Sequence, residues 1–396
     1  MSGIKYFPED LNIENKTILL RLDLNVPIKN KEILDHTRIL LALPFLKNLI
    51  NRKAKIVIIS HLGRPKEIGD NKFSLMPIYK FLKEKINTNI FFFTGEINDK
   101  TKEKILYLKP GEVILMENIR FFKGESTNDE GFAKKLSSLG EIYVNDAFSC
   151  SHREQASIHK ITKFIKASYA GPLLKKEVEA ISLIINEKKE PVTCIIGGSK
   201  ISTKINVISS LIKNVNNIII VGAMANNFLK YKGFEIGKSL IEEDSERIIE
   251  KIYANADNCN CKIIVPIDCS VSSSFDGSSV FKKKNDIGKN EIILDIGPET
   301  IKIIEDIINK SNTVLWNGPA GFFENKNFFK GTEAIAKKIS ENTLNKSLIS
   351  IIGGGDTISS INKVKKKLSF THLSTAGGAF LEYLEGKDLP GLSVLK

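Results

Sequence analysis

The sequence predicts an α/β protein of two domains, each a parallel sheet flanked by helices. Three observations predict it. Short, almost wholly apolar runs of strand length alternate with amphipathic stretches of helical period along the chain, the pattern of strands buried on both faces by crossover helices. Several of those runs in the second half end directly in Gly. At 396 residues, the chain exceeds what one hydrophobic core usually organises.

In the first part the expected strands are 17–24, 55–60, 90–93, 112–116 and 141–145. In the second they are 192–196, 217–221, 262–266, 313–316, 348–352 and 369–372. Between the first two, Ile39, Leu43, Leu46 and Ile50 form one helical face despite Pro44. The boundary is legible at Gly171-Pro172, because Pro172 suits the first turn of a helix running to Ile185. That helix is long enough to connect two domains, and Glu187-Lys-Lys-Glu-Pro191 turns out of it. The division is therefore an N-terminal domain over 1–170, a connecting helix over 171–187 and a second domain from 188.

A net charge of +12 raises the question of nucleic acid. The excess is Lys scattered with Ile and Asn through every segment, and no recognition motif with interleaved aromatics accompanies it, so no specific nucleic-acid partner is expected. No apolar run reaches the roughly 20 residues of a membrane helix, and Met1-Ser-Gly-Ile-Lys-Tyr-Phe-Pro has no signal-like pattern. Cys150, Cys194, Cys259, Cys261 and Cys269 lack metal spacing and are expected as free thiols in a reducing cytoplasm.

Arginine is more informative than total charge. Only seven of the 58 basic residues are Arg. Arg21, Arg38, Arg64, Arg120 and Arg153 sit inside distinctive segments, all before residue 154. A guanidinium is a planar fork that grips phosphate or carboxylate with two hydrogen bonds, which Lys does not replace. The expectation is an anion site for a small, multiply charged substrate on the N-terminal part. His61 and His152, each near a motif Arg, are candidate donors, against the structural role such a His often has. Asp23 and Asn25 flank Leu24 and would face one side of a strand; a strand-end turn is the alternative.

In the second half, Gly-rich loops follow strands at 197–198, 222, 318–321, 353–355 and 377–378. At the carboxyl ends of a parallel sheet, such loops let backbone N–H groups approach a phosphate. One loop alone reads equally as a tight turn; five point to a nucleotide. Lys200 and Lys204, four apart, would share a face near a helix start and meet a polyphosphate. Asp356 offers a hard oxygen for Mg²⁺, or caps a helix. No Gly-x4-Gly-Lys-Ser/Thr, kinase Asp-Phe-Gly or dinucleotide Gly-x-Gly-x-x-Gly signature is present.

Taken together, the ordered motifs resemble those of phosphoglycerate kinases along nearly the whole chain. They are Arg-Leu-Asp-Leu-Asn-Val-Pro (21–27), Ser-His-Leu-Gly-Arg-Pro (60–65), Glu-Asn-Ile-Arg-Phe (117–121) and Val-Asn-Asp-Ala-Phe (144–148). Gly-Gly-Ser-Lys (197–200), Gly-Ala-Met-Ala-Asn (222–226), Trp-Asn-Gly-Pro-Ala-Gly (316–321), Gly-Gly-Gly-Asp-Thr (353–357) and Ser-Thr-Ala-Gly-Gly-Ala (374–379) complete them. The resemblance implies two Rossmann-like domains, the second over 188–378, with 379–396 returning towards the first. It implies that Arg21, Asp23, Asn25, Arg38, His61, Leu62, Gly63, Arg64, Arg120 and Arg153 bind 3-phosphoglycerate or 1,3-bisphosphoglycerate. It assigns ATP or ADP to Gly198, Lys200, Lys204, Asn317, Glu324, Gly354, Gly355, Asp356 and Thr357, with Mg²⁺ on Asp356. A monomer in the cytoplasm, with no membrane partner, is the family expectation. Thr203, Ala320 and Ala376 depart from the common family residues and bear on the tuning of their loops.

The chemistry expected is phosphoryl transfer between an acyl phosphate and ADP. A carboxylate acceptor is already ionised, so no general base is needed; alignment, charge neutralisation and domain closure are. Arg38 and Lys200 would clamp the transferring group, with backbone N–H groups of Gly354 and Gly377 assisting. Two rivals are another acyl-phosphate kinase, resembling acetate kinase, and a degenerate binding module. The first has no use for five motif Arg, and the second does not fit retention of Arg38, Lys200 and Asp356.

Overall fold

The computed structural model describes residues 3–66 and 69–396; the expected start of the first domain at Met1 and Ser2 lies outside them. The chain divides into two compact units, one running to Val178 and including Asp388–Lys396, the other Glu179–Lys387.

The strands of the first unit are β1 (Thr17–Leu22), β2 (Ile28–Lys29), β3 (Glu32–Ile33), β4 (Lys55–Ile59), β5 (Ile90–Phe93), β6 (Val113–Met116), β7 (Ile142–Asp146) and β8 (Ala167–Ala170). Six of them form one parallel sheet in the order β5-β6-β4-β1-β7-β8, and β2 and β3 pair as a small hairpin. In β1, Leu20 and Leu22 join one apolar cluster with Ile56 and Ile58, while Leu19 joins the other with Val57, Ile59 and Tyr143. Period-two alternation thus gives both faces apolar cover, which is why the strands read as continuous apolar runs. The helix Thr37–Asn51 contains Pro44 and buries Ile39, Leu43 and Leu46 as expected, with Leu49, while Ile50 is half-buried.

A helix forms over Pro172–Ile185, where one was expected, and the division between the two units falls within it, after Val178. Asp146, the last residue of β7, anchors its start: Oδ1 accepts from the N–H groups of Leu173 and Leu174 at 2.7 and 3.0 Å. These donors have no partner within the helix, so the carboxylate supplies one.

The second unit holds β9 (Val192–Ile196), β10 (Asn217–Ile220), β11 (Lys262–Ile264), β12 (Asp268–Ser272), β13 (Val280–Lys283), β14 (Ile292–Ile296), β15 (Thr313–Asn317), β16 (Ile349–Gly353) and β17 (His372–Ser374). Its main sheet is parallel, in the order β11-β10-β9-β15-β16-β17. Counted along that sheet, this is the 3-2-1-4-5-6 winding of a dinucleotide fold, whose direction reverses between β9 and β15. A separate antiparallel sheet, β13-β12-β14, was not expected from sequence.

Several expectations are corrected. Asp23 and Asn25 lie beyond the end of β1, in a turn where Asn25 N–H donates to Asp23 Oδ1 at 3.0 Å. The last strand is His372–Ser374, not 369–372, because Ser369 and Thr371 donate their N–H groups to Ser340 and Ser350 side chains before it begins. The returning segment, expected from 379, joins the first unit only from Asp388, since Gly378–Leu384 belongs to the second. Among the described residues, no helix is long and apolar enough to cross a membrane.

Candidate active site

The motif segments of the first unit meet at the carboxyl ends of β1, β4 and β7 and in the turns that follow. The chain from β1 carries Asp23 and Asn25, that from β4 carries His61–Arg64, and that from β7 carries Ser149–Arg153. Arg38 NH1 pairs with Asp23 Oδ2 at 2.9 Å and donates to the Asn25 carbonyl at 2.9 Å. Ser149 Oγ also donates to Asp23 Oδ2. Asn25 Oδ1 accepts from Gly63 N–H at 2.9 Å, and the Gly63 carbonyl accepts from Arg120 NH1. Leu62 is buried, its carbonyl held by Asn118 Nδ2 at 2.7 Å. Arg153 lies against His152, with Nε donating to Nε2 at 3.1 Å. Arg64 is exposed.

Arg21 is different. It is completely buried, and each of its three nitrogens is engaged: Nε donates to Ser157 Oγ at 3.0 Å, NH1 to the Leu22 carbonyl, and NH2 to His61 Nδ1 at 3.2 Å and Cys150 Sγ at 3.8 Å. Burial opposes its charge most strongly, yet Cys150, Glu125, Tyr143 and Asp23 together hold its pKa above the ordinary value. Glu125, also without exposure, accepts Ser157 N–H at 2.9 Å and Ser157 Oγ–H at 2.6 Å. Its pKa is raised by burial, against the pull of Arg21 and the Ser157 bonds.

The region carries an excess of positive charge. Burial, with Arg21 and Arg153 adding to it, pulls Arg120 down to about 10. Burial and then Arg21, Arg120, Arg153 and Arg38 hold His61 well below its usual range, so its ring is neutral at pH 7. Ligand atoms of Asp23, His61 and Cys150 lie within 4.8 Å of one another. They do not fit a cation, because Arg21 already donates to two of them and Arg38 to the third. The arrangement suits a multiply charged anion.

In the second unit the reversal of strand order creates the other site. Gly318 has φ +106°, and a Cβ there would lie 2.4 Å from the Gly197 carbonyl, so the loops after β9 and β15 touch backbone to backbone. Beside them opens a cleft of about 360 Å³. Its walls are apolar, including Leu229, Leu240, Ile292 and Leu294, and its rim carries Gly198, Glu324 and Asp356. An adjoining cluster holds the remaining polar groups. Lys204 Nζ donates to Asn317 Oδ1, and Gly318 N–H donates to Thr357 Oγ1 at 2.7 Å. Gly354 opens the helix Gly355–Ile361 beside Asn317 and Thr357. Asn317 Nδ2 is buried without a hydrogen-bond partner among the described residues, a donor left for a ligand. Burial lowers the Lys204 pKa, with Asp356 partly offsetting it.

Lys200 and Lys204 do not share a helix face. The helix is Ile205–Ile212, Lys204 caps it, and Lys200 is exposed in the preceding loop, where Thr203 Oγ1 donates to its carbonyl at 2.9 Å. Gly377 precedes the helix Gly378–Leu384, and neither it nor Lys200 lines the cleft. A wider cleft of about 780 Å³ in the first unit, lined by Phe121, Phe122, Phe132, Lys123 and Lys135, contains none of the motif arginines and is set aside as the reaction site.

A sequence profile described as phosphoglycerate kinase matches residues 9–387. The chain belongs to the phosphoglycerate kinase family. It is 45% identical over 390 residues to the phosphoglycerate kinase of Wolbachia pipientis wMel, covering 98% of each chain. It is 46% identical to that of Buchnera aphidicola from Acyrthosiphon pisum (strain 5A), covering 98% of this chain and 96% of the relative. The solved phosphoglycerate kinase of Coxiella burnetii superposes with a TM-score of 0.89 at 38% identity, covering 98% of this chain and 97% of that one. That of Pyrococcus horikoshii OT3 superposes with a TM-score of 0.83 at 29% identity, covering 98% of both.

Phosphoglycerate kinases use nucleotide substrates, and Mg²⁺ accompanies them. Asp356 fits that ion by chemistry: it is exposed, lines the cleft, and its carboxylate has no hydrogen-bond partner among the described residues. The two Rossmann-like domains of the family expectation are the two parallel-sheet units described above. Sequence reasoning missed Glu125, Ser149 and Ser157, which support the motif residues, and the apolar walls of the cleft. A Ser or a Glu outside a motif carries no local signal of such a role. The Leu and Ile positions read only as core.

Proposed function

We propose that this member of the family catalyses reversible phosphoryl transfer between 1,3-bisphosphoglycerate and MgADP, giving 3-phosphoglycerate and MgATP, with a half-site on each unit. The reading rests above all on the convergence of Arg38, Arg120 and Arg153 around a neutral His61 with few acids to balance them. A substrate bearing both a phosphate and a carboxylate matches that charge.

Asp23 and Asn25 would orient substrate hydroxyls, with Arg64, Arg120, Arg153 and the Leu62–Gly63 backbone on its anionic groups. Arg21 acts from beneath them. In the second unit the apolar cleft would take the base and Glu324 the ribose. Gly198, Lys204, Asn317, Gly354, Gly355 and Thr357 would surround the phosphates. Mg²⁺, held by Asp356, would neutralise phosphate charge. Arg38 and Lys200 would clamp the transferring group, assisted by the Gly354 and Gly377 N–H groups. No general base is required, because the acceptor carboxylate is already ionised. The substrates bind on separate units, so transfer requires a closure that aligns them and excludes water. We further propose a cytoplasmic monomer without specific nucleic-acid or membrane partners, checked by light scattering.

The test is MgATP consumption with 3-phosphoglycerate, coupled to an NADH-dependent dehydrogenase, for wild type and Arg38→Ala. Turnover by the first and a kcat lower by about two orders of magnitude or more in the second are expected. Silence from a folded, nucleotide-binding wild type would reject the reading. An unchanged kcat with a raised KM would remove Arg38 from the clamp.

A further inference from the structure

We propose that Arg21 is a positioning residue that fixes His61 in the tautomer protonated at Nε2, so that His61 presents a hydrogen-bond donor to the phosphoglycerate. This rests on the anion-site reading above and assigns its buried layer a task.

The inference follows from hydrogen-bond valence. A guanidinium has five donors and no acceptor. Arg21 NH2 lies 3.2 Å from His61 Nδ1, so that nitrogen must be the acceptor and carry no proton. The neutral ring then bears its proton on Nε2, which has no hydrogen-bond partner among the described residues. An imidazolium would set N–H against N–H at the Arg21 contact. The same contact therefore disfavours both the other tautomer and the charged ring. Burial and the guanidiniums of Arg21, Arg120, Arg153 and Arg38 act in the same direction.

Arg21 is itself held in one orientation. Glu125 accepts two hydrogen bonds from Ser157, and Ser157 Oγ accepts Arg21 Nε–H at 3.0 Å. Tyr143 fixes the Ser157 carbonyl, and the Leu22 carbonyl takes NH1. All these groups are buried. A chain Glu125–Ser157–Arg21–His61 thus runs from a closed interior to a ring nitrogen left for a ligand. Among surrounding guanidiniums, a neutral donor adds a directional contact to an anion without adding another repelling charge.

The direct test is long-range ¹H–¹⁵N NMR of the intact chain with ¹⁵N-labelled histidine, the His61 signals identified by their loss in His61→Gln. At pH 7 the expected pattern is a protonated Nε2 and an unprotonated Nδ1, with the Nε2 signal shifting on addition of 3-phosphoglycerate. A proton on Nδ1, on both nitrogens, or an Nε2 signal indifferent to 3-phosphoglycerate would overturn the proposal. A second pair of variants avoids disturbing the buried Arg. In His61→Gln the amide nitrogen takes the place of Nε2, and 3-phosphoglycerate affinity should stay within about threefold. In His61→Asn the amide reaches only the Nδ1 position, and affinity should fall about tenfold. Equal losses, or the reverse order, would refute the role. If wild type shows no turnover but binds 3-phosphoglycerate with the expected tautomer, the reaction assignment falls and this inference stands.

Discussion

Arg38 NH1 bonds both Asp23 and the Asn25 carbonyl. Arg153, a half-buried residue, lies against a His ring through Nε. The two face the same electrostatic region and have different tasks. In the proposed reaction Arg38 would be the clamp, and its loss should appear in kcat. In the same proposal Arg153 would be a ground-state contact whose value lies in its fork. Arg153→Lys keeps the charge and loses the second aligned N–H, so 3-phosphoglycerate affinity should fall by about tenfold in a calorimetric titration. Equal affinity would show that charge alone suffices there. Arg21, legible in the sequence as one more motif arginine, belongs to neither class. Position in a motif marked it as special, but only burial distinguishes support from contact. Glu125 carried no mark at all, because a Glu among Lys123, Gly124 and Ser126 looks like any solvated helix residue until Ser157 is found against it.

Elements show where local sequence suffices. β1, β4, β9 and β15 were legible because parallel strands covered on both faces must be apolar throughout. β8, Ala-Ser-Tyr-Ala, and β12, Asp-Cys-Ser-Val-Ser, were not, since small and polar residues carry little period and are placed by their neighbours. The helix Pro172–Ile185 was announced by its proline, but its anchor was not. Asp146 is buried with Oδ2 unpartnered, and burial, against the Leu173 and Leu174 N–H bonds, pushes its pKa to about 7 from 3.8. Between about pH 4 and 7 the folded chain therefore holds a proton that the unfolded chain has released. The stability this group contributes is present below about pH 4 and declines as pH rises through 7. Asp146→Asn keeps an acceptor for the helix N–H groups without the charge. Between pH 5 and 8 the wild type should lose several degrees of Tm relative to this variant. Parallel Tm profiles would show that Asp146 does not titrate in this range.

At the scale of the molecule, the first unit is assembled from two distant pieces of chain. Leu389, Leu392 and Leu395 are buried, Gly391 N–H donates to the Ser151 carbonyl, and Lys5 N–H donates to the Leu395 carbonyl. Ser151 adjoins Cys150, in the turn that carries Arg153. Ending the chain at Lys387 should therefore destabilise the first unit by several kcal/mol, given about 1.5–3 kcal/mol per buried Leu. It should weaken 3-phosphoglycerate binding while leaving nucleotide affinity nearly unchanged. Urea unfolding followed with each ligand separates the two effects, and unchanged 3-phosphoglycerate binding would count against the dependence.

The same arrangement has a consequence for how the molecule is made. On the ribosome, residues 179–387 emerge as one uninterrupted stretch holding nearly all that the second unit needs. The unit that carries the arginine cluster is begun first, yet the nine residues Asp388–Lys396, which belong to it, are translated after the whole of the second unit. Through most of its synthesis it waits for its last pieces. During translation, the fold of the second unit can be in place before the arginine site is finished.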